Sequence, residues 1–245
     1  VREDDARERL AGLGFAAADV ESLLAHFADA ERRGKHGHGF SRVSWLERLE
    51  GLEPKATPEL VESGADFERW RGNGALGYLT LARICARMLE RPPGRCRLVV
   101  AEACFPTGVL GFWVRQLAEH GLVALLTATS PARLAHPAGG EPLTGTNPLA
   151  IAVPSSQGDP IVCDVSMGRA TYGDVLTGRA SQEELVPFGG EQAHKAFALA
   201  LGLELVVDAL AGGGYGAVLL AARPEQDPVP ALRARAAGLR LPGDS

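Results

Sequence analysis

From residue 98 onward the chain alternates short apolar runs with helical segments, and that alternation restricts it to a layered α/β architecture. Leu98-Val99-Val100-Ala101 reads as a strand, Leu110 to His120 as a helix and Leu122 to Thr127 as a strand. Leu149 to Val153, Ile161 to Val165 and Ala217 to Ala221 are further strand-like runs, bounded by Pro, Gly or Ser. Ala193 to Leu210 is apolar nearly all round over its first half, which predicts a helix buried between layers. Pro228 to Ala237 reads as a final helix.

The N-terminal part follows a different period. Residues 3 to 33 read as helices divided at Gly14, with Val20, Leu23, Leu24 and Phe27 on one face and Asp19 able to cap the start. The stretch Gly34-Lys35-His36-Gly37-His38-Gly39 interrupts them, and Ser41 can cap a helix through Val43, Trp45, Leu46 and Leu49. Pro54 and Pro58 mark a linker, and Tyr78 to Glu90 has a helical pattern that Pro92-Pro93-Gly94 ends. The organisation expected is a helical arm over residues 1–55 and an α/β region over 56–245, folding as one cooperative unit.

Charge and composition exclude several partners. Twenty-five Lys and Arg against thirty Asp and Glu give a net charge of −5, so no overall positive field draws nucleic acid or anionic lipid. The most apolar long stretch, 196–210, is broken by Glu204 and Asp208 and falls short of the roughly 20 apolar residues that span a bilayer. The first residues, Val1 to Asp5, are acidic where a leader would be basic. Cys85, Cys96, Cys104 and Cys163 form no CxxC pair and sit in apolar runs, which reads as buried, reduced thiols in a cytoplasmic protein.

Gly72-Asn73-Gly74-Ala75-Leu76-Gly77 fits G-x-G-x-x-G, but the preceding Ala65 to Arg71 does not read as a buried strand and Glu90 is too near to serve as the ribose-binding acid. That context favours a plain turn over a dinucleotide loop. His36 and His38 lack a third ligand at useful spacing, so no metal is expected. His38 is more informative, because glycine flanks it on both sides and Arg42 follows four residues later. Imidazole titrates near neutrality and guanidinium grips a carboxylate with two parallel hydrogen bonds, a pairing suited to acid–base chemistry on a carboxylic acid. The competing reading is a solvated histidine beside a surface ion pair. His26 lies off the apolar face of its helix, and His120 and His136 lie near a helix end and in a loop, so all three are expected to be exposed. No G-x-S-x-G elbow or P-loop occurs.

Taken in order, His38-Gly39-Phe40-Ser41-Arg42, Gly145-Thr146-Asn147-Pro148-Leu149-Ala150-Ile151-Ala152-Val153-Pro154, Asp164-Val165-Ser166-Met167 with Gly173, Pro187-Phe188-Gly189-Gly190, His194 to Ala200, and Arg240-Leu241-Pro242-Gly243 resemble the malate/L-lactate dehydrogenase family. The resemblance implies a family-specific α/β fold that is not a Rossmann domain, a homodimer, and NADH or NADPH as cofactor. It implies hydride transfer to C2 of a small 2-oxo acid or cyclic imine carboxylate. His38 is then the proton donor and Arg42 the grip on the substrate carboxylate. The implied cofactor segments are Pro160, Ile161, Val162, Cys163, Asp164, Val165 and Ser166, then His194 and Lys195, then Gly243, Asp244 and Ser245. Lys195, at the start of a helix, stands where free N–H groups favour phosphate, and Asp164 is placed to bind a ribose or a cofactor amide.

The sequence also departs from the family pattern. Pro106 stands where a second histidine is usual, Gly168 where a serine is usual, and Ala196 where a glycine is usual; material is missing after Gly178 and after Gly216. Two readings follow: a reductase with an altered pocket, or a member that has lost hydride transfer and serves in binding, assembly or a non-redox step.

Overall fold

A computed structural model describes residues 2–244; the expectation for Ser245 lies outside the described residues. The helices are α1 (Glu3–Gly12), α2 (Ala17–Arg32), α3 (Ser41–Leu46), α4 (Gly77–Glu90), α5 (Leu110–Glu119), α6 (Tyr172–Leu176), α7 (Ala193–Ala211) and α8 (Val229–Arg235). The strands are β1 (Glu59–Ser63), β2 (Phe67–Arg71), β3 (Cys96–Glu102), β4 (Val123–Ala128), β5 (Leu149–Val153), β6 (Ile161–Val165) and β7 (Gly216–Ala222). They form one sheet in the order β1-β2-β3-β7-β4-β5-β6, antiparallel throughout except for the parallel pair β2/β3.

Strand side chains alternate between two faces, and each face is covered differently. Val99 and Ala101 of β3, Ala124 and Leu126 of β4 and Leu219 of β7 join one core with α1, α2, α4 and α5. Trp113, Tyr78, Phe27 and Leu10 are its largest fully enclosed side chains, so the N-terminal helices share the core of the sheet. On the other face, Val100 and Val218 pack against Val207 and Ala211 of α7.

Several sequence expectations are corrected here. Residues 67–71 do form a strand, hidden by its charged pattern. Glu68 is buried because Arg87 Nε donates to it at 2.9 Å and Arg97 lies 3.6 Å away, so a charge that reads as solvated is neutralised by its neighbours. The glycine loop after it is a turn: Gly72 and Gly77 lie against the 103–106 backbone, and Tyr78 N–H donates to Pro106 O at 2.9 Å, filling the helix start that a phosphate would need. Helix α7 is not buried between layers; Leu199, Leu205 and Val206 are 52%, 59% and 47% exposed. Neither Asp19 nor Ser41 caps a helix: Ala16 and Phe40 hold those positions, and the Ser41 hydroxyl donates to His36 O. Cys96 is exposed and Cys163 half-buried, leaving only Cys85 and Cys104 enclosed.

Candidate active site

The first turn of α6 and the arm meet at close backbone contact. A Cβ on Gly37 would lie 2.6 Å from the carbonyl carbon of Gly173, and one on Gly173 would lie 2.6 Å from Gly37 O. Thr171 caps α6 with a reciprocal box, its N–H and hydroxyl donating to Asp174 while Asp174 N–H donates back. Gly39 is needed for a different neighbour, since Glu31 occupies the space beside it and accepts from Phe40 N–H at 2.9 Å. The glycines around His38 thus serve chain packing, and they fix the turn of 3₁₀ helix, His36–His38, that carries the imidazole.

That turn opens on a cleft of about 570 Å³ that brings together His38, Arg42, Lys35, Tyr78, Arg133, Asp164, Ser166 and Thr146. Pro106, Val109, Leu110, Pro131 and Pro148 supply an apolar wall. Its volume lies within the range usual for small-molecule sites. His38 is half-buried, and its Nδ1 is fully enclosed without a partner. Burial first, and then the positive charges of Arg42 and Lys35, push its pKa down to about 3, so the free imidazole is neutral. Arg42 is 7% exposed; its Nε donates to Gly37 O at 2.8 Å, and its guanidinium lies over the Trp45 ring.

Two contacts lock the cleft walls. Lys35 Nζ donates to Asp164 Oδ2 at 2.8 Å, tying the arm to the end of β6. Asp164 also sits against Gly111 in the first turn of α5, where a carboxylate suits the helix dipole. The GTNP turn is more than a chain reversal. Asn147 Nδ2 donates to Ala200 O at 3.0 Å and to Glu204 of α7, and Gly145 N–H donates to Glu204 at 3.0 Å. Thr146 O in turn accepts from Met167 N–H at 2.9 Å and Ser166 Oγ at 3.3 Å, which places Thr146 and Ser166 together on the cleft.

His26 is corrected from exposed to fully buried. Its Nε2 accepts Val109 N–H at 2.8 Å, and its ring packs among Tyr78, Phe112 and Trp113 beneath the cleft wall. Burial, with the nearby His38, pushes its pKa down to about 3.

Of the implied cofactor residues that are described, only Asp164 and Ser166 line this cleft. His194 and Lys195 are exposed at the start of α7. Pro160 precedes β6 and Ile161, Val162 and Cys163 lie on it outside the cleft lining; Gly243 packs on that strand, with Pro242 O accepting Val162 N–H at 3.0 Å. Asp244 pairs with Arg233 at 2.8 Å and caps the turn at Leu241 N–H. The lining nevertheless fits the reactive end of a nicotinamide cofactor: a flat apolar flank beside a carboxylate and two hydroxyls able to bind an amide, with an enclosed, unpartnered imidazole nitrogen nearby. Sequence reasoning missed Lys35, Tyr78, Thr146 and Arg133 as cleft residues. Lys35 had a signal, being part of the glycine-flanked stretch; Arg133 had none. Among the described residues no group of three or more metal-binding side chains occurs, and no helix is long and apolar enough to cross a membrane.

A sequence model of malate/L-lactate dehydrogenase matches residues 3–186. The Delta(1)-pyrroline-2-carboxylate/Delta(1)-piperideine-2-carboxylate reductase of Pseudomonas putida is 31% identical over 228 residues, taking in 80% of this chain and 65% of its own. The (2R)-3-sulfolactate dehydrogenase (NADP(+)) of Chromohalobacter salexigens is 30% identical over 181 residues, 72% of this chain and 54% of its own. The chain thus spans less than two thirds of the length of these curated relatives. Solved structures show the same fold: delta1-piperideine-2-carboxylate reductase from Pseudomonas syringae pvar. tomato superposes with a TM-score of 0.84 at 24% identity, covering 99% of this chain and 89% of its own. Malate dehydrogenase from Entamoeba histolytica gives 0.85 at 19% identity, covering 100% and 87%.

Proposed function

Since the chain belongs to the malate/L-lactate dehydrogenase family, we propose that it is an NAD(P)H-dependent oxidoreductase that reduces C2 of a small 2-oxo acid or cyclic imine carboxylate. The observation that carries this reading is the meeting of His38 and Arg42 in one cleft with Asp164 and Ser166 of the opposite wall. The reduced nicotinamide, when bound, supplies the hydride. Asp164, Ser166 and Thr146 are the residues that hold its amide end.

Arg42 grips the substrate carboxylate through its terminal nitrogens, since Nε is committed to Gly37. His38 gives its proton to the oxygen or nitrogen on C2. The free imidazole is neutral, so it is set for the oxidative direction, in which it accepts a proton. For reduction it must first gain one. An anion seated on Arg42 offsets one of the two positive charges that depress the imidazole, while burial, the larger cause, continues to favour its neutral form. Pro106, Val109 and Leu110 offer an apolar surface in the same cleft.

The apolar side chains that α7 leaves exposed, Leu199, Leu205 and Val206 among them, support a homodimer that covers them. The four cysteines are free, which suits a cytoplasmic protein. The test is consumption of NADH or NADPH, followed by absorbance, across a panel of 2-oxo acids and cyclic imine carboxylates. Consumption of one nicotinamide with at least one class is expected; none with any compound contradicts the reading.

A further inference from the structure

Tyr78, in the first turn of α4, is 1% exposed, yet it lines the cleft. Its N–H donates to Pro106 O at 2.9 Å, and its ring packs edge-on to His26, 4.9 Å away, and to Phe27, 5.5 Å away. Gly108 leaves it room, since a Cβ there would collide with the ring. These contacts take up the body of the side chain and fix where its polar tip stands.

Nothing in the chain satisfies that tip. Among the described residues the Tyr78 hydroxyl has no hydrogen-bond partner. His26 beside it is committed, because its Nε2 already accepts Val109 N–H. Nδ1 of His26 and of His38 are sealed from solvent, whereas the phenol oxygen is not, so the small reachable part of Tyr78 includes its hydroxyl and faces the cleft. Tyr172, also on the cleft, differs: it is half-buried, and the Arg133 guanidinium stacks 3.5 Å from its ring centre.

A hydroxyl taken out of bulk water without a partner is costly, and the cost is relieved when a bound molecule accepts its proton. Burial raises the Tyr78 pKa above its ordinary value, with the Arg42 charge opposing, so the group stays protonated and donates across the neutral range. The adjoining Pro106 has no side-chain donor to offer on this wall.

We infer that Tyr78 is a further substrate-binding residue, its hydroxyl donating a hydrogen bond to the carboxylate-bearing ligand seated on Arg42. This inference deepens the proposed reading of the cleft, and a binding measurement separates the two.

Pyruvate and pyrrole-2-carboxylate, a 2-oxo acid and a planar analogue of a cyclic imine acid, can be titrated by calorimetry into the full chain with NAD⁺ and NADP⁺ present. Tyr78→Phe removes the hydroxyl and keeps the ring. It should weaken the acid that binds by about 10- to 100-fold, with nicotinamide affinity and denaturation midpoint unchanged. The chain has three tyrosines, so in protein carrying 3-fluorotyrosine the Tyr78 resonance can be assigned by replacing Tyr172 and Tyr215 in turn. It should shift when the acid is added, a readout that needs no change at position 78. Unchanged affinity in Tyr78→Phe, an unmoved resonance, or no binding of either acid overturns the inference. A loss confined to nicotinamide affinity assigns the hydroxyl to the cofactor and also overturns it. If Tyr78-dependent binding is found but no 2-oxo acid or cyclic imine carboxylate is reduced, the reductase reading fails while the assignment of Tyr78 stands.

Discussion

Lys35 Nζ lies 2.8 Å from Asp164 Oδ2, joining the glycine-rich turn of the arm to the end of β6 across 129 positions of sequence. The carboxylate is 12% exposed and the ammonium 40%, so the pair is open to water on one side only. It closes one edge of the cleft, and it places a positive charge where it acts on His38.

Lys35→Met should therefore cost little stability, up to about 1 kcal/mol, because the ammonium is well solvated. It should also raise the pKa of His38 by removing one of the charges that depress it. The pH dependence of reduction then moves to higher pH. Chemical denaturation and a pH–rate profile measured on the same variant check both halves.

Gly173→Ala should disable the site without any change of charge. The added methyl would lie 2.6 Å from Gly37 O and 2.9 Å from Arg42 Nη2, and the first neighbour is backbone that cannot rotate away. Turnover is expected to fall by at least about 10²-fold, the penalty that ångström-scale misplacement brings. Retention of native turnover would show that the arm and α6 are free to separate.

Arg42→Lys keeps the charge but removes the planar fork, in a position that is 7% exposed and packed over Trp45. The Michaelis constant for the substrate should rise, with nicotinamide affinity unchanged. An unchanged Michaelis constant would move the carboxylate elsewhere.

Stability should fall on acidification below about pH 6.5. His26 and His38 both have pKa values lowered to about 3, so between pH 6.5 and 3 the unfolded chain binds protons that the folded chain does not. The linkage slope is then positive, and stability present above pH 6.5 is lost as pH falls, by at most about 1.4 kcal/mol per pH unit for each histidine. Denaturant midpoints of the native protein and of His26→Leu across that range measure the contribution; the variant should show a shallower slope.

Much of this architecture was legible in the sequence, and the exceptions share a physical cause. Strands β3 to β7 are runs of small and branched apolar residues between turn residues, and local pattern suffices for them. Strand β2 carries Glu68, Arg69 and Arg71, and its burial depends on Arg87 and Arg97, contributed by α4 and β3. His26 looked solvent-facing because its partner, Val109 N–H, lies 83 residues away. Helix α7 misled in the opposite sense: its apolar circumference suggested enclosure, yet one chain covers only Ala196, Phe197, Ala200, Val207 and Ala211. His38 and Arg42 could be found from their spacing and glycine context. Arg133 could not, because its stacking partner lies in a distant helix.

The most direct test of the central claim is the turnover of His38→Ala set beside its affinity for NADH and NADPH. The account predicts a fall in turnover of about 10²–10⁴-fold, the usual worth of a positioned acid, with nicotinamide affinity unchanged. Native turnover in that variant would contradict it.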